Sequence, residues 1–197
     1  MIVQVGKSIL FLAALTFPFW VATRFAINIS RQRRNQQILL TREFILASFF
    51  LYIVFLAAIT IVPLPMSRFR TPSSEDINLI PVLNLARCLV QKPAGIPEGR
   101  KFCLENILGN IALFFPLGIM LPLVHDKFSS IWKVLILAML VSSGIELLQL
   151  VSRGFGSYRS VDIDDVLLNT FGAGVGCVGF AIVRRCASAN KEDSTVV

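Results

Sequence analysis

Residues 131–151 read IWKVLILAMLVSSGIELLQLV, and this stretch decides the fold. A bilayer crossing needs roughly 20 apolar residues, about 30 Å of helix at 1.5 Å per residue. The stretch has that length, and its charged residues are Lys133 near one end and Glu146 near the other. Glu146 stands five residues before Val151, so it lies roughly 7–8 Å inside the helix end. An unpaired carboxylate at that depth costs about 2.5 kcal/mol or more, so Glu146 must face a polar cavity, hold a cation or carry a proton. Gln149 follows three residues later on the same helical face.

Four further apolar runs lie outside this one: 3–23, 44–62, 103–124 and 165–183. Of the 197 residues 55% are hydrophobic and 16% charged, with a mean hydropathy of +0.72. A soluble domain keeps about a quarter of its residues charged, so most of this surface cannot face water. The expected fold class is all-α, a polytopic membrane protein built as a bundle of about five transmembrane helices. The first run is too long for a signal-peptide core, and no small-x-small cleavage site follows it, so it reads as a retained helix. Pro63 and Pro65 end the second run, because proline cannot extend a helical ladder. Pro116 and Pro122 within the third are tolerated where neighbouring helices satisfy the freed carbonyls. Gly172 and Gly176 form a GxxxG step, with Gly179 further on, a pattern of close helix packing. In the proline-rich segment 66–101, the part 78–83, NLIPVL, is too apolar for a free linker and is expected on the membrane surface. The polar tail 187–197 reads as disordered. No internal repeat appears, so an inverted-repeat transporter gains no support.

The formal charge is +7. Its basic residues flank apolar runs and are not interleaved with exposed aromatics, so nucleic acid is not an expected partner. Four cysteines without CxxC spacing and a single histidine offer no zinc site. Arg24, Arg31, Arg33, Arg34 and Arg42 lie between the first two helices, and Arg184, Arg185 and Lys191 follow the fifth. Short cytoplasmic loops carry excess lysine and arginine, and an odd number of helices puts both groups on one side. The cations of 66–101 are spread over a longer stretch. The expected localisation is the inner (plasma) membrane, multi-pass, with the N-terminus outside and the C-terminus cytoplasmic. Cys88 and Cys103 then fall outside, where a disulfide can form. Cys177 and Cys186 read as structural or incidental, and His125 as a loop residue.

With that topology the polar residues of the last three helices gather at their outer ends. Asn106 and Asn110 share one face of the third helix, and Glu146 and Gln149 one face of the fourth. Arg159, Asp162, Asp164 and Asp165 lead into the fifth, where Asn169 follows Asp165 by one turn. Arg159 is the natural counter-charge for Glu146. The ligand-site candidates are therefore Asn106, Asn110, Glu146, Gln149, Arg159, Asp162, Asp165 and Asn169. Plainer roles compete with this one: Asp162 and Asp165 also read as a capping-box-like pair, Asp164 and Asp165 suit the helix dipole, and the asparagines serve as interhelical glue. No cofactor is expected; a divalent cation held by Asp162, Asp164 and Asp165 is the weak exception.

The ordered spacings resemble the VanZ family of bacterial membrane proteins. The resemblance rests on Asn78-Leu79-Ile80-Pro81; on Asn106 and Asn110 leading into LFFPLG at 113–118; on Glu146-x-x-Gln149; on Arg159-x-x-Asp162-x-Asp164-Asp165; and on Asn169-x-x-Gly172. It divides the chain into N-terminal helices with a basic cytoplasmic loop (1–59), a VanZ-like membrane domain (60–183) and a cytoplasmic tail (184–197). The resemblance implies a cell-envelope protein associated with resistance to teicoplanin, a glycopeptide antibiotic that binds cell-wall precursors outside the membrane. It implies no reaction, so no catalytic role is carried over. The leading expectation is a polar pocket that binds membrane lipid or a lipid-linked cell-wall precursor. An enzyme acting on a phosphate-linked lipid and a small transporter titrating at Glu146 are the alternatives.

Overall fold

The computed structural model describes residues 2–61, 77–82, 85–86, 97–153 and 160–193. Its five long helices are α1 (Ile2–Arg33), α2 (Leu40–Thr60), α3 (Pro97–Val124), α4 (Ile131–Arg153) and α5 (Ile163–Asp193). All five are long and apolar enough to cross a membrane, as the sequence predicts. A two-residue parallel ladder departs from the all-helical expectation. It pairs β1 (Ile77–Asn78) with β2 (Val161–Asp162), setting Ile77 opposite Val161 and Asn78 opposite Asp162. The chain divides into two compact units, Met1–Phe69 and Arg70–Val197.

In the first unit α1 continues ten residues past its expected end at Thr23. Arg24, Arg31 and Arg33 therefore stand on the helix, and Arg42 falls in the first turn of α2. Long basic side chains can keep an apolar stem on the helix and a charged head in a polar setting, so cations near a span's end do not stop it; the Arg24 head finds that setting at Glu43. The stop comes at Asn35, whose φ of 53° is left-handed. Asn35 N–H donates to the Gln32 carbonyl and Gln36 N–H to the Arg31 carbonyl, both at 3.0 Å, a Schellman ending. Arg24 grips the Glu43 carboxylate of α2 with two donors, one of them Nε to Oε2 at 3.0 Å. Trp20 of α1 stacks on Phe50 of α2 with ring centroids 5.1 Å apart.

In the second unit α5 packs against both α3 and α4. Glycine lets the α3 and α5 backbones touch: a Cβ on Gly172 would overlap the Ile111 carbonyl, one on Gly176 the Phe115 carbonyl, and one on Gly118 the Ala173 carbonyl. Gly179 has nothing within 4 Å and takes no part. The outer faces of α4 and α5 expose Leu140, Leu147, Phe171, Val178 and Ile182, a surface suited to hydrocarbon rather than water. At its far end α5 runs on to Asp193, so residues 187–193 of the expected disordered tail are helical. That stretch contains no glycine or proline and is rich in good helix formers.

Candidate functional site

α5 starts where it does because Asp162 caps it. The Asp162 Oδ1 accepts the Asp164 N–H at 2.9 Å, which satisfies one of the donors a helix start leaves open. In a capping box the side chain three residues on, here Asp165, would accept the N–H of the cap residue. Glu146 of α4 takes that place instead: its Oε2 accepts the Asp162 N–H at 3.0 Å. Asp165 is thereby left to face α3, and its Oδ1 accepts from Asn110 Nδ2 at 2.6 Å and from Asn106 Nδ2 at 3.4 Å. The expected capping pair is thus split between two helices.

Asp164 turns elsewhere, as adjacent helical positions must. Its two carboxylate oxygens accept the backbone N–H groups of Val82 and Leu85, the latter at 2.9 Å, and only 3% of the residue is exposed. Val82 is held there with a φ of 66°, left-handed and unusual for a β-branched residue. Beside it Asn78 donates from Nδ2 to Asp162 Oδ1 at 2.8 Å and accepts the Ile80 N–H at 3.2 Å. Three aspartates within four residues therefore serve three different partners: the helix start, the Val82 and Leu85 N–H groups, and α3. Among the described residues no three His, Cys, Asp or Glu side chains gather to hold a metal ion.

One turn deeper, Asn169 of α5 donates from Nδ2 to Ser142 Oγ of α4 at 2.8 Å. Both are buried, at 4% and 0% exposed. Each of the three helices thus supplies a polar pair four residues apart: Asn106 and Asn110, Ser142 and Glu146, Asp165 and Asn169. Four residues further into the bundle each series reaches an apolar side chain, Phe114, Ala138 or Ala173, and all three are fully buried. The result is a polar wedge two turns deep that ends on an apolar floor. At its mouth Asn106 is exposed, while Asn110, Glu146 and Asp165 are half-buried.

Of the residues expected from sequence, Asn106, Asn110 and Asp165 meet directly, and Glu146 meets the Asp162 backbone. Asn169 joins through Ser142, and Gln149 is buried near the end of α4. Arg159 lies outside the described residues. Sequence reasoning missed Asn78 and Ser142 as members. Asn78 opens the NLIP segment, and Ser142 sits one turn before Glu146; those positions were the available signals. Cys103, on α3 above the asparagines, is disulfide-bonded. Its expected partner, Cys88, lies outside the described residues, and Cys177 and Cys186 are free thiols. His125 caps the short 3₁₀ turn Asp126–Phe128, accepting the Lys127 N–H at 3.1 Å.

The family model described as VanZ/LLP1 matches residues 49–184. No curated protein and no solved structure matches the chain.

Proposed function

The chain belongs to the VanZ/LLP1 family as a multi-pass membrane protein, and from that premise we propose that its polar wedge binds the head of an amphiphile: a lipid or a lipid-linked cell-wall component. The observation that carries this reading is the half-buried Asp165, bound to two asparagines of α3 at the open end of the wedge. A carboxylate inside a membrane span is a functional group by default. Among the described residues, Asn106 is exposed and Asn110 and Asp165 are half-buried, which supports access for a ligand.

The wedge opens on the outer side of the plasma membrane, with the N-terminus outside and the C-terminus cytoplasmic. The arginines at the end of α1 and those late in α5 support this orientation, since cations collect at the cytoplasmic side. The disulfide at Cys103 supports it too, because such bonds persist in oxidising compartments. Glycopeptides of the teicoplanin kind act on that outer surface. Altered susceptibility to them then follows from what the wedge holds there.

Mass spectrometry of the lipids that remain with the purified protein tests this. A defined amphiphile should accompany the wild-type chain and be lost from Asn110→Ala and Asp165→Ala variants that still reach the membrane. Identical lipid profiles for all three proteins would overturn the reading.

A further inference from the structure

The chemistry of the ligand's head can be read from the atoms that the wedge leaves unanswered. Asn169 gives its Nδ2 to Ser142, and its Oδ1 is buried with no hydrogen-bond partner. Buried polar groups are almost always paired, so an orphaned carbonyl oxygen in a residue 4% exposed calls for a donor. Asp165, one turn towards the mouth on the same face of α5, receives both of its asparagine donors on Oδ1. Among the described residues nothing donates to its Oδ2. A buried acceptor that calls for a donor and a second acceptor open to one, on half-buried Asp165, therefore stand one helical turn apart, about 5–6 Å between their Cβ atoms.

We infer that the wedge selects amphiphiles whose heads carry hydroxyl or ammonium donors. One donor meets Asp165 at the mouth, and the innermost reaches Asn169. This rests on the amphiphile-binding reading above and adds the class of head. Bare phosphate and quaternary ammonium heads lack the donors these oxygens require. Phe114, Ala138 and Ala173 close the wedge beneath Asn169, so the head enters and leaves by the mouth and does not pass through.

The full chain can be tested in nanodiscs of phosphatidylcholine, whose head has no donor, doped with phosphatidylethanolamine, phosphatidylglycerol or an octyl glycoside. Native mass spectrometry then counts which amphiphile stays with the released protein. Donor-bearing heads should be retained over phosphatidylcholine by roughly tenfold, the size of one good hydrogen bond. Asn169→Leu should bring that preference close to parity. Asp165→Asn, which keeps the side chain's shape, should weaken retention of the ammonium head more than that of the glycoside. Equal retention of phosphatidylcholine and the donor-bearing heads would overturn the inference while leaving amphiphile binding intact. So would an Asn169→Leu protein that is less heat-stable but has unchanged preference, because a fixed water then answers Asn169. Retention of no amphiphile at all would sink this inference and the proposed function together.

Discussion

Asp162 and Asp164 stand two residues apart and respond differently to the same substitution. Asp162 uses Oδ1 for both the Asp164 N–H and the Asn78 amide, and an asparagine carbonyl can do the same. Asp162→Asn should therefore keep both of these bonds and the helix cap, because asparagine caps a helix as well as aspartate does. Asp164 uses both oxygens, one for each backbone N–H. Asp164→Asn sets an amide NH₂ against a buried donor, and leaving that donor unsatisfied costs roughly 1–3 kcal/mol. Thermal unfolding of the two variants in one detergent measures the difference, and equal losses would refute these roles. Val82, held by Asp164 at a φ of 66°, offers the opposite case. Left-handed backbone in a non-glycine residue costs of order 1–3 kcal/mol. Val82→Gly should thus raise the melting temperature, and a lower one would show that the valine side chain matters more than the strain.

Between helices, two glycines of α5 make a controlled comparison. Gly176 lies against the Phe115 carbonyl, whereas Gly179 has open space around it. Gly176→Ala should force α3 and α5 apart, destabilise the second unit and disturb the Asn110–Asp165 contact. Gly179→Ala should be neutral or stabilising by up to about 1 kcal/mol, the difference in helix propensity. Parallel melting curves decide, and similar losses for both would mean that the GxxxG contact is not what holds these helices together. The five helices were legible because each carries a long apolar run, a signal that survives without knowledge of neighbours. Their ends were less so. Nothing in residues 24–33 marks a stop, and the Schellman ending at Asn35 depends on a backbone conformation. The ladder of Ile77–Asn78 with Val161–Asp162 is too short to leave a pattern. In the wedge, Glu146, Asp165 and the two asparagines stood out as polar residues inside apolar runs. The role of Glu146 at the Asp162 N–H, and the membership of Ser142 and Asn78, needed the third dimension because their partners sit on other elements.

For the whole molecule the orientation is the statement most open to direct test. In a Cys186→Ser background, an impermeant thiol reagent should label Ser73→Cys in intact cells, or in spheroplasts where an outer membrane is present, and should miss Ser188→Cys. The reverse pattern would invert the topology and turn the wedge towards the cytoplasm. The ladder also carries a consequence for biosynthesis. Asn78 and Asp162 are 84 residues apart, and at 5–20 residues per second a ribosome takes about 4–17 s to travel from one to the other. Through that interval the Val82 and Leu85 N–H groups and the Asn78 amide await acceptors that have not been synthesised. The start of α5 brings Asp162 and Asp164, and its arrival supplies those acceptors. A chain that stalls after α4 lacks Asp162 and Asp164 and keeps all three of those donors open.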